Sequence, residues 1–454
     1  MANELKWARE FFATHNPSYA RYDNYYGGDH DQVLSDQVRS VFATLFKGLR
    51  YNLCPNVVDT LADRLVITGF VANERVQAMI DGIWTDRRMQ SRSNVVHTDA
   101  VKRGDGFVIV WPGADGRPAI YPQSRGVMAV RYEDNGDAEQ IAEAVKCWTV
   151  DTPSGRKELR VTRYLADRIE RYLSHNATNG IPDNLAGLAW YGADEAESII
   201  PNPYGRVPVF HFPNSLRQNK FAQSEIKDVL PLQDGLNKTL VDMMVGSEFH
   251  GLPQRWVTGL EKFRDPQTGQ EIKPFTTGAD RIWTVASETV KFGQFDAADL
   301  EQFLGVVNAY VDAIARVSRT PPHLFMRNTG DFPSGESLRT AEAPLLSKVH
   351  KRQSVWGDVW EDVIGFAAQI SGIADPWPIE AQWLDVTPHN ESERINAGAT
   401  KVESLGVSRA QVQRELGYNE EQIETMAAER IEEQKARVEA AAAAFNAGPT
   451  NRGE

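Results

Sequence analysis

Residues 334–370 constrain this chain more than any other stretch. Leu338, Leu345, Leu346, Val349, Trp356, Val359, Trp360, Val363 and Ile364 recur there at helical spacing. At 1.5 Å per residue the predicted helix is about 55 Å long, more than one small domain needs. Pro344 lies inside it and should kink it, since proline withdraws one N–H from the helical ladder. A polar loop, RNTGDFP at 327–333, precedes it and follows a second amphipathic helix. In that helix Leu300, Phe303, Leu304, Val307, Tyr310, Val311, Ile314 and Val317 make an unbroken apolar stripe. Asp296 reads as its N-cap and Asp299 sits in the first turn, near the positive end of the helix dipole. Thr320, Pro321 and Pro322 stop it.

The rest of the chain divides around these two helices. Residues 1–50 are aromatic-rich and predicted helical, with a loop at 25–29. The segment 56–65 places Val57, Val58, Leu61 and Leu65 on one helical face; 66–70 follows as a short strand and 74–89 as a helix. A β-rich stretch comes next, opened by strands at 107–111 and 119–121 that flank the hairpin signal Asp115-Gly116. Further strands are expected through 127–132, 147–150 and 158–172, so the first half reads as one α+β domain ending near Pro213. Residues 224–244 are helical by their apolar positions, and Pro231 must either kink that helix or open a second one at its first turn. Residues 251–295 turn to short strands, at 254–258 and 281–285, and Gly/Pro loops. Residues 390–446 are helical again, with NEEQ at 419–422 resembling a capping box before Ile423, and 448–454 as a frayed tail.

With 454 residues, 41% of them hydrophobic and 24% charged, the chain reads as two to four globular domains. It has no apolar run of the roughly 18 residues that span a bilayer. The first 17 residues are charged and aromatic, unlike a secretory signal. Cys54 and Cys147, without CxxC partners, read as reduced structural thiols from a reducing cytoplasm. There is no GxxxxGK[ST] or GxGxxG phosphate loop, no HExxH, no GxSxG and no Cys–His signature. The one metal-like cluster, GGDHD at 27–31, reads as a polar loop beside a glycine turn. Neither catalysis nor a cofactor is indicated. The net charge of −13 is the opposite of what static phosphate binding requires, so any nucleic-acid contact should be weak, local or transient.

Seven stretches, taken in order, resemble phage portal proteins of the branch typical of actinobacterial phages. They are YYGGDH at 25–30, NLCPNVVDTLADRL at 52–65, GDGFVIVW at 104–111 and VPVFHFPN at 207–214; then SEIKDVLPLQDGLNK at 224–238, SRTPPHLF at 318–325 and PSGESLRTAEAP at 333–344. Their order and spacing over residues 20–370 carry the resemblance; the C-terminal part matches only in helical character.

The resemblance implies an α+β fold of portal type. Residues 1–221 would form the first part of the wing, 222–250 a stem helix, 251–295 a small β-rich clip, 296–325 a second stem helix and 326–335 a tunnel loop. Residues 336–384 would be a long, kinked, wing-spanning helix, and 385–454 a helical crown with its tail. It implies a ring, usually of twelve copies, assembled in the host cytoplasm and sited at the portal vertex of the virion capsid. The implied partners are the large terminase subunit, the major capsid and scaffolding proteins, a head-completion or neck adaptor, and double-stranded DNA in transit, with no membrane. Arg327, Asn328, Thr329, Gly330 and Asp331 would face DNA in the tunnel loop, although Arg327 could equally contact a neighbouring subunit. Lys262, Arg264 and Lys273 would face the motor or neck from the clip. Two other readings stand beside this one: a phage-encoded DNA-processing enzyme with an unrecognised carboxylate metal site, and a helical scaffold that binds only protein. Rings with a central hole separate them from the first.

Overall fold

The computed structural model describes residues 3–31, 48–123, 126–133, 140–174, 180–215, 221–251, 255–258, 290–294, 301–325, 335–386 and 391–446. Helix α1 (Lys6–Gly27) is stopped by Gly28 at φ +76°, a left-handed position that frees its N–H to bond the Tyr25 carbonyl at 3.2 Å. Helix α2 (Cys54–Ala62) buries Val57, Val58 and Leu61, with Leu65 just beyond, as their spacing predicts. Strand β1 (Ile67–Ala72) follows, and then α3 (Glu74–Asp86), capped by the Asn73 side chain on the Val76 N–H at 3.1 Å.

The predicted helix 74–89 is corrected here. Arg88 enters the left-handed region at φ 52°, and a further helix, α4 (Met89–Arg103), stands between it and the first expected strand, in a stretch given no element by the sequence. Its sequence lacks an apolar stripe because its inward face is polar: Ser93, His97, Asp99 and Arg103 are all buried. His97 Nδ1 donates to the Leu65 carbonyl at 2.7 Å, and Nε2 accepts from Trp360 Nε1 at 2.9 Å. That pair of bonds requires the neutral ring, and complete burial holds its pKa down at about 4.

Strands β2 (Asp105–Pro112) and β3 (Pro118–Gln123) form the hairpin expected at Asp115-Gly116, closed by Gly113 N–H on the Arg117 carbonyl at 2.8 Å. Strand β10 (Val209–Pro213) pairs on the other edge of β2. A larger antiparallel sheet runs β4 (Met128–Tyr132), β5 (Ile141–Asp151), β6 (Lys157–Tyr164), β7 (Arg168–Ser174) and β8 (Ala189–Trp190). Strand β9 (Ile199–Pro201), which follows the one-turn helix α5 (Glu195–Ser198), also pairs with β7. The stretch 158–172 is thus two strands, turned where Leu165 N–H meets the Arg168 carbonyl at 2.9 Å. One face of this sheet packs under α1 through Leu5, Ala8 and Phe11 against Ala129, Val145 and Val161. Half of the other face packs on the three-stranded sheet through Phe107 and Val209.

In the second half, helices α6 (Leu230–Gly251) and α7 (Glu301–Ser318) pack on each other, and between them in sequence stands a two-stranded ribbon, β11 (Arg255–Thr258) and β12 (Lys291–Gln294). The long helix α8 (Gly335–Ile370) is continuous through Pro344. Trp356 and Trp360 are wholly buried in it, and Trp356 Nε1 donates to the Pro213 carbonyl at 2.7 Å. Strand β13 (Ile379–Trp383), absent from the sequence reading, then pairs antiparallel with β1. The principal core joins α2, α3, α4 and β2 to α6, α7 and α8, so it does not stop at Pro213. The last described elements are α9 (Glu391–Leu405), α10 (Arg409–Glu415) and α11 (Glu420–Asn446). The capping box forms as read: Gln422 N–H bonds Asn419 Oδ1 at 2.8 Å, and Asn419 N–H bonds Gln422 Oε1 at 3.0 Å.

Candidate channel helices and their anchor

Helix α6 begins at Leu230, not at 224, with Pro231 in its first turn where a missing N–H costs nothing. The six residues before it turn away because Ser224 and Glu225 bond backward. Ser224 Oγ donates to the Lys102 carbonyl at 2.5 Å, and Glu225 N–H donates to the Val101 carbonyl at 3.0 Å. The helix pair itself rests on a close approach. A Cβ added at Gly235 would stand 2.7 Å from the Tyr310 ring of α7, so any other residue there must displace that ring.

The apolar stripe read along α7 is divided between two uses. Val307, Val311 and Ile314 are buried against α6 and the core, while Leu304 is 52% exposed and Val317 49%. Val306 and, on α6, Met244 are exposed as well. The ribbon carries a further pair of exposed aromatics, Trp256 and Phe292.

Two polar anchors hold this pair to the rest of the molecule. The first joins α6 to the N-terminal segment. Gln233 Oε1 accepts from Leu53 N–H at 2.9 Å while its Nε2 donates to the Tyr51 carbonyl at 2.6 Å. Asn237 Oδ1 accepts from Tyr51 N–H at 3.0 Å, and its Nδ2 meets His30 Nε2 at 3.1 Å. Tyr25 donates its hydroxyl to Asp234 at 2.7 Å and stacks on the His30 ring at 4.1 Å. The loop with the metal-like residues is therefore a clasp on α6: burial pulls the His30 pKa down, and its Nε2 is already engaged.

The second anchor is a buried charge cluster where four segments meet. Glu225, ahead of α6, pairs with Lys348 and with Arg352 of α8, the latter at 2.9 Å. Lys348 Nζ also donates to the Ser318 carbonyl at the end of α7, at 2.6 Å. Asn214, after β10, donates to Glu225 at 3.2 Å and accepts from Arg352 Nε at 3.1 Å. Burial opposes the Glu225 charge, but Lys348 and Arg352 outweigh it and hold its carboxyl below the usual range. Burial likewise pulls Lys348 down, against Glu225. The sequence carried one sign of this cluster: Lys348 and Arg352 interrupt the inward face marked by Leu345, Val349 and Trp356. A cation on a core face needs a buried carboxylate, and nothing local names Glu225 as that carboxylate.

Among the described residues no group of three His, Cys, Asp or Glu side chains could hold a metal ion. Asp105, His211 and Tyr132 form a relay-like chain, with His211 Nε2 2.8 Å from Asp105 and Nδ1 2.6 Å from Tyr132. The Asp105 and His211 side chains are only 1% and 2% exposed, so the chain is a core network with no room for a substrate. Cys54 and Cys147 are free, and burial pushes both thiols up to about 12. The residues read as tunnel-loop and clip sites, Arg327, Asn328, Thr329, Gly330, Asp331, Lys262, Arg264 and Lys273, lie outside the described residues, as do the predicted strand 281–285 and the N-cap Asp296.

The family model for SPP1 Gp6-like phage portal proteins matches residues 12–436, nearly the whole chain. The chain belongs to the phage portal protein family. It is 26% identical over 391 residues to the portal protein of Mycobacterium phage D29, covering 81% of this chain and 76% of that relative. To the portal protein of Mycobacterium phage L5 it is 25% identical over 387 residues, with the same coverage. A chain from the neck of an empty gene transfer agent particle is similar at a TM-score of 0.47 and 16% identity, over 85% of this chain and 94% of that one. Portal proteins are structural components of the virion with roles in genome packaging and ejection, not enzymes, and the reading as a DNA-processing enzyme is set aside.

Proposed function

We propose that this portal-family chain is the subunit of a twelve-membered ring whose α6 and α7 helices stand around an axial channel for double-stranded DNA. One observation carries the proposal. The helix pair is fixed to the body by two buried polar anchors, yet leaves Leu304, Val306, Val317 and Met244 exposed, apolar surface that a neighbouring subunit would cover. A head-to-tail contact of this kind makes a closed ring when its rotation divides the circle. In this reading 1–221 and 336–384 belong to the wing, 222–250 and 296–325 to the stem, 251–295 to the clip, 326–335 to the tunnel loop and 385–454 to the crown. The clip, with Lys262, Arg264 and Lys273 and the aromatic pair on its ribbon, would meet the large terminase subunit during packaging and a neck adaptor afterwards. The wing would meet the capsid and scaffolding proteins during assembly in the host cytoplasm.

At −13 per chain, twelve copies carry −156, and an acidic wall repels phosphate and lets DNA slide. Arg327 is the basic side chain this reading puts nearest the DNA. Native mass measurement and negative-stain images of the purified protein are the test. Closed rings with a central hole are expected; a protein that stays monomeric at high concentration overturns the proposal.

A further inference from the structure

Half of one face of the six-stranded sheet is left uncovered by the three-stranded sheet, and it is basic in an otherwise acidic chain. Lys146 Nζ lies 4.8 Å from the Trp148 ring centroid and has no carboxylate partner among the described residues. Arg160 and Arg171 both lie over the Tyr191 ring, at 4.9 and 5.1 Å from its centroid. Register puts these side chains on one face, since Lys146 stands opposite Thr162, which stands opposite Arg171, and Trp148 opposite Arg160. Among the described residues one carboxylate answers the three cations, Glu158, at a loose 3.7 Å from Arg160. The Nε groups of Arg160 and Arg171 are buried donors without a hydrogen-bond partner. Arg160 also donates to the Tyr191 hydroxyl at 3.2 Å and Arg171 to the Glu197 carbonyl at 2.5 Å, both neutral acceptors, so the two guanidinium charges stay largely unneutralised within the subunit.

The reverse situation exists on α8 and β13. Asp358, Glu361 and Asp362 lie within one helical turn, with Glu380 of β13 beside them, and among the described residues the one cation paired there is Arg206, on Asp362 at 2.7 Å. Burial and mutual repulsion raise the carboxyls of Asp358 and Glu361, as expected for charges lacking counter-ions. Each patch has an exposed aromatic at hand, Tyr191 on the sheet and Trp377 beside the acidic face, at 40% and 48% exposure.

We propose that the open sheet face built from Lys146, Arg160 and Arg171 docks on the acidic α8–β13 face of a second copy of this chain. The two patches are different surfaces, so the contact is heterologous and propagates from copy to copy, which is what a ring needs. The proposal rests on the ring reading above and adds the charge pairing that sets subunit register. DNA is the poorer occupant, because Trp148 and Tyr191, the rings on which bases would stack, already carry cations of this subunit. The buried cores that hold this sheet also contain no residue of the channel helices.

The test uses the full chain in four forms: wild type, Lys146→Glu with Arg171→Glu, Asp358→Lys with Glu361→Lys, and all four changes together. Ring yield is read by native mass and negative stain at about 0.15 M salt, where screening still leaves close pairs effective. Melting midpoints verify that each form is folded, and Lys146→Glu alone serves if the arginine change unfolds the sheet edge at Tyr191. Each double variant should lose ring yield about tenfold or more through like-charge contact, and the four-fold swap should recover it. Rings at wild-type yield from both double variants, or a folded swap that stays dissociated, overturn the contact. Wild-type protein without rings sinks the ring reading and this contact with it. Intact sheet-variant rings that no longer enter capsids, or no longer hold DNA, reassign the patch to an outside protein or to DNA and overturn the proposal as well.

Discussion

Replacing Glu225 by glutamine removes one charge from the cluster that ties the start of α6 to α7, α8 and the segment after β10. The glutamate accepts from Lys348, from Arg352 at 2.9 Å and from Asn214 at 3.2 Å, so its two oxygens are fully committed. Glutamine keeps one oxygen acceptor and turns an NH2 donor toward groups that also donate. At least one charge-assisted hydrogen bond is lost, worth about 1.5–3 kcal/mol, and two cations are left buried with no counter-charge. Breaking such a pair from one side costs about 3–5 kcal/mol. The expected result is a clear fall in the denaturation midpoint, followed by circular dichroism. Glu225→Gln combined with Lys348→Met should recover part of it, because one unpaired cation disappears. The pH dependence adds a second readout. The Glu225 carboxyl sits below its ordinary value of 4.5 in the folded state, so its stabilisation is complete above that value and is lost as pH falls through the lower folded one. The acid limb of the stability profile should flatten in Glu225→Gln. A variant that melts within about 1 kcal/mol of wild type, with an unchanged acid limb, would refute this account of the cluster.

Gly235→Val forces a side chain into the Tyr310 ring and should cost about 1–3 kcal/mol or more by overpacking, lowering both the melting midpoint and ring yield; Tyr310→Ala in the same chain should relieve it. Stability should decline as pH falls from about 6.5 to about 4, because unfolded His97 takes up a proton that the buried ring refuses; the midpoint measured against pH in His97→Gln should lose that slope. Exchanging 327–331 for a Gly/Ser linker should leave ring yield intact and reduce packaged or retained DNA per particle, whereas Val307→Asp, a buried position on α7, should block folding or assembly. Genome retention at wild-type level in the linker variant removes those five residues from the channel.

Local signals in this sequence went far where the physics is local. The extent of α8, the buried face of α2, the β2–β3 hairpin and the Asn419–Gln422 capping box each depend on periodicity or on side chains within a few residues of one another. Family membership was also legible, because seven short stretches keep their order along the chain. Other features were beyond such reading. Helix α4 presents Ser93, His97, Asp99 and Arg103 inward, so its pattern looks like a surface until Leu65, Trp360 and Asp23 are known to receive them. Strand β13 is short and gains its meaning from β1, at the far end of the chain. The stripe on α7 announced an apolar helix, but which part faces α6 and which part stays exposed depended on Gly235 and Tyr310 coming together. The Glu225 cluster is the sharpest case. Sequence alone determined that Lys348 and Arg352 fall on the inward side of a long helix, and tertiary structure alone decided that a glutamate more than a hundred residues earlier neutralises them. A buried charge is tolerable only beside its counter-charge, and that pairing is a fact of distance in space, which no local pattern encodes.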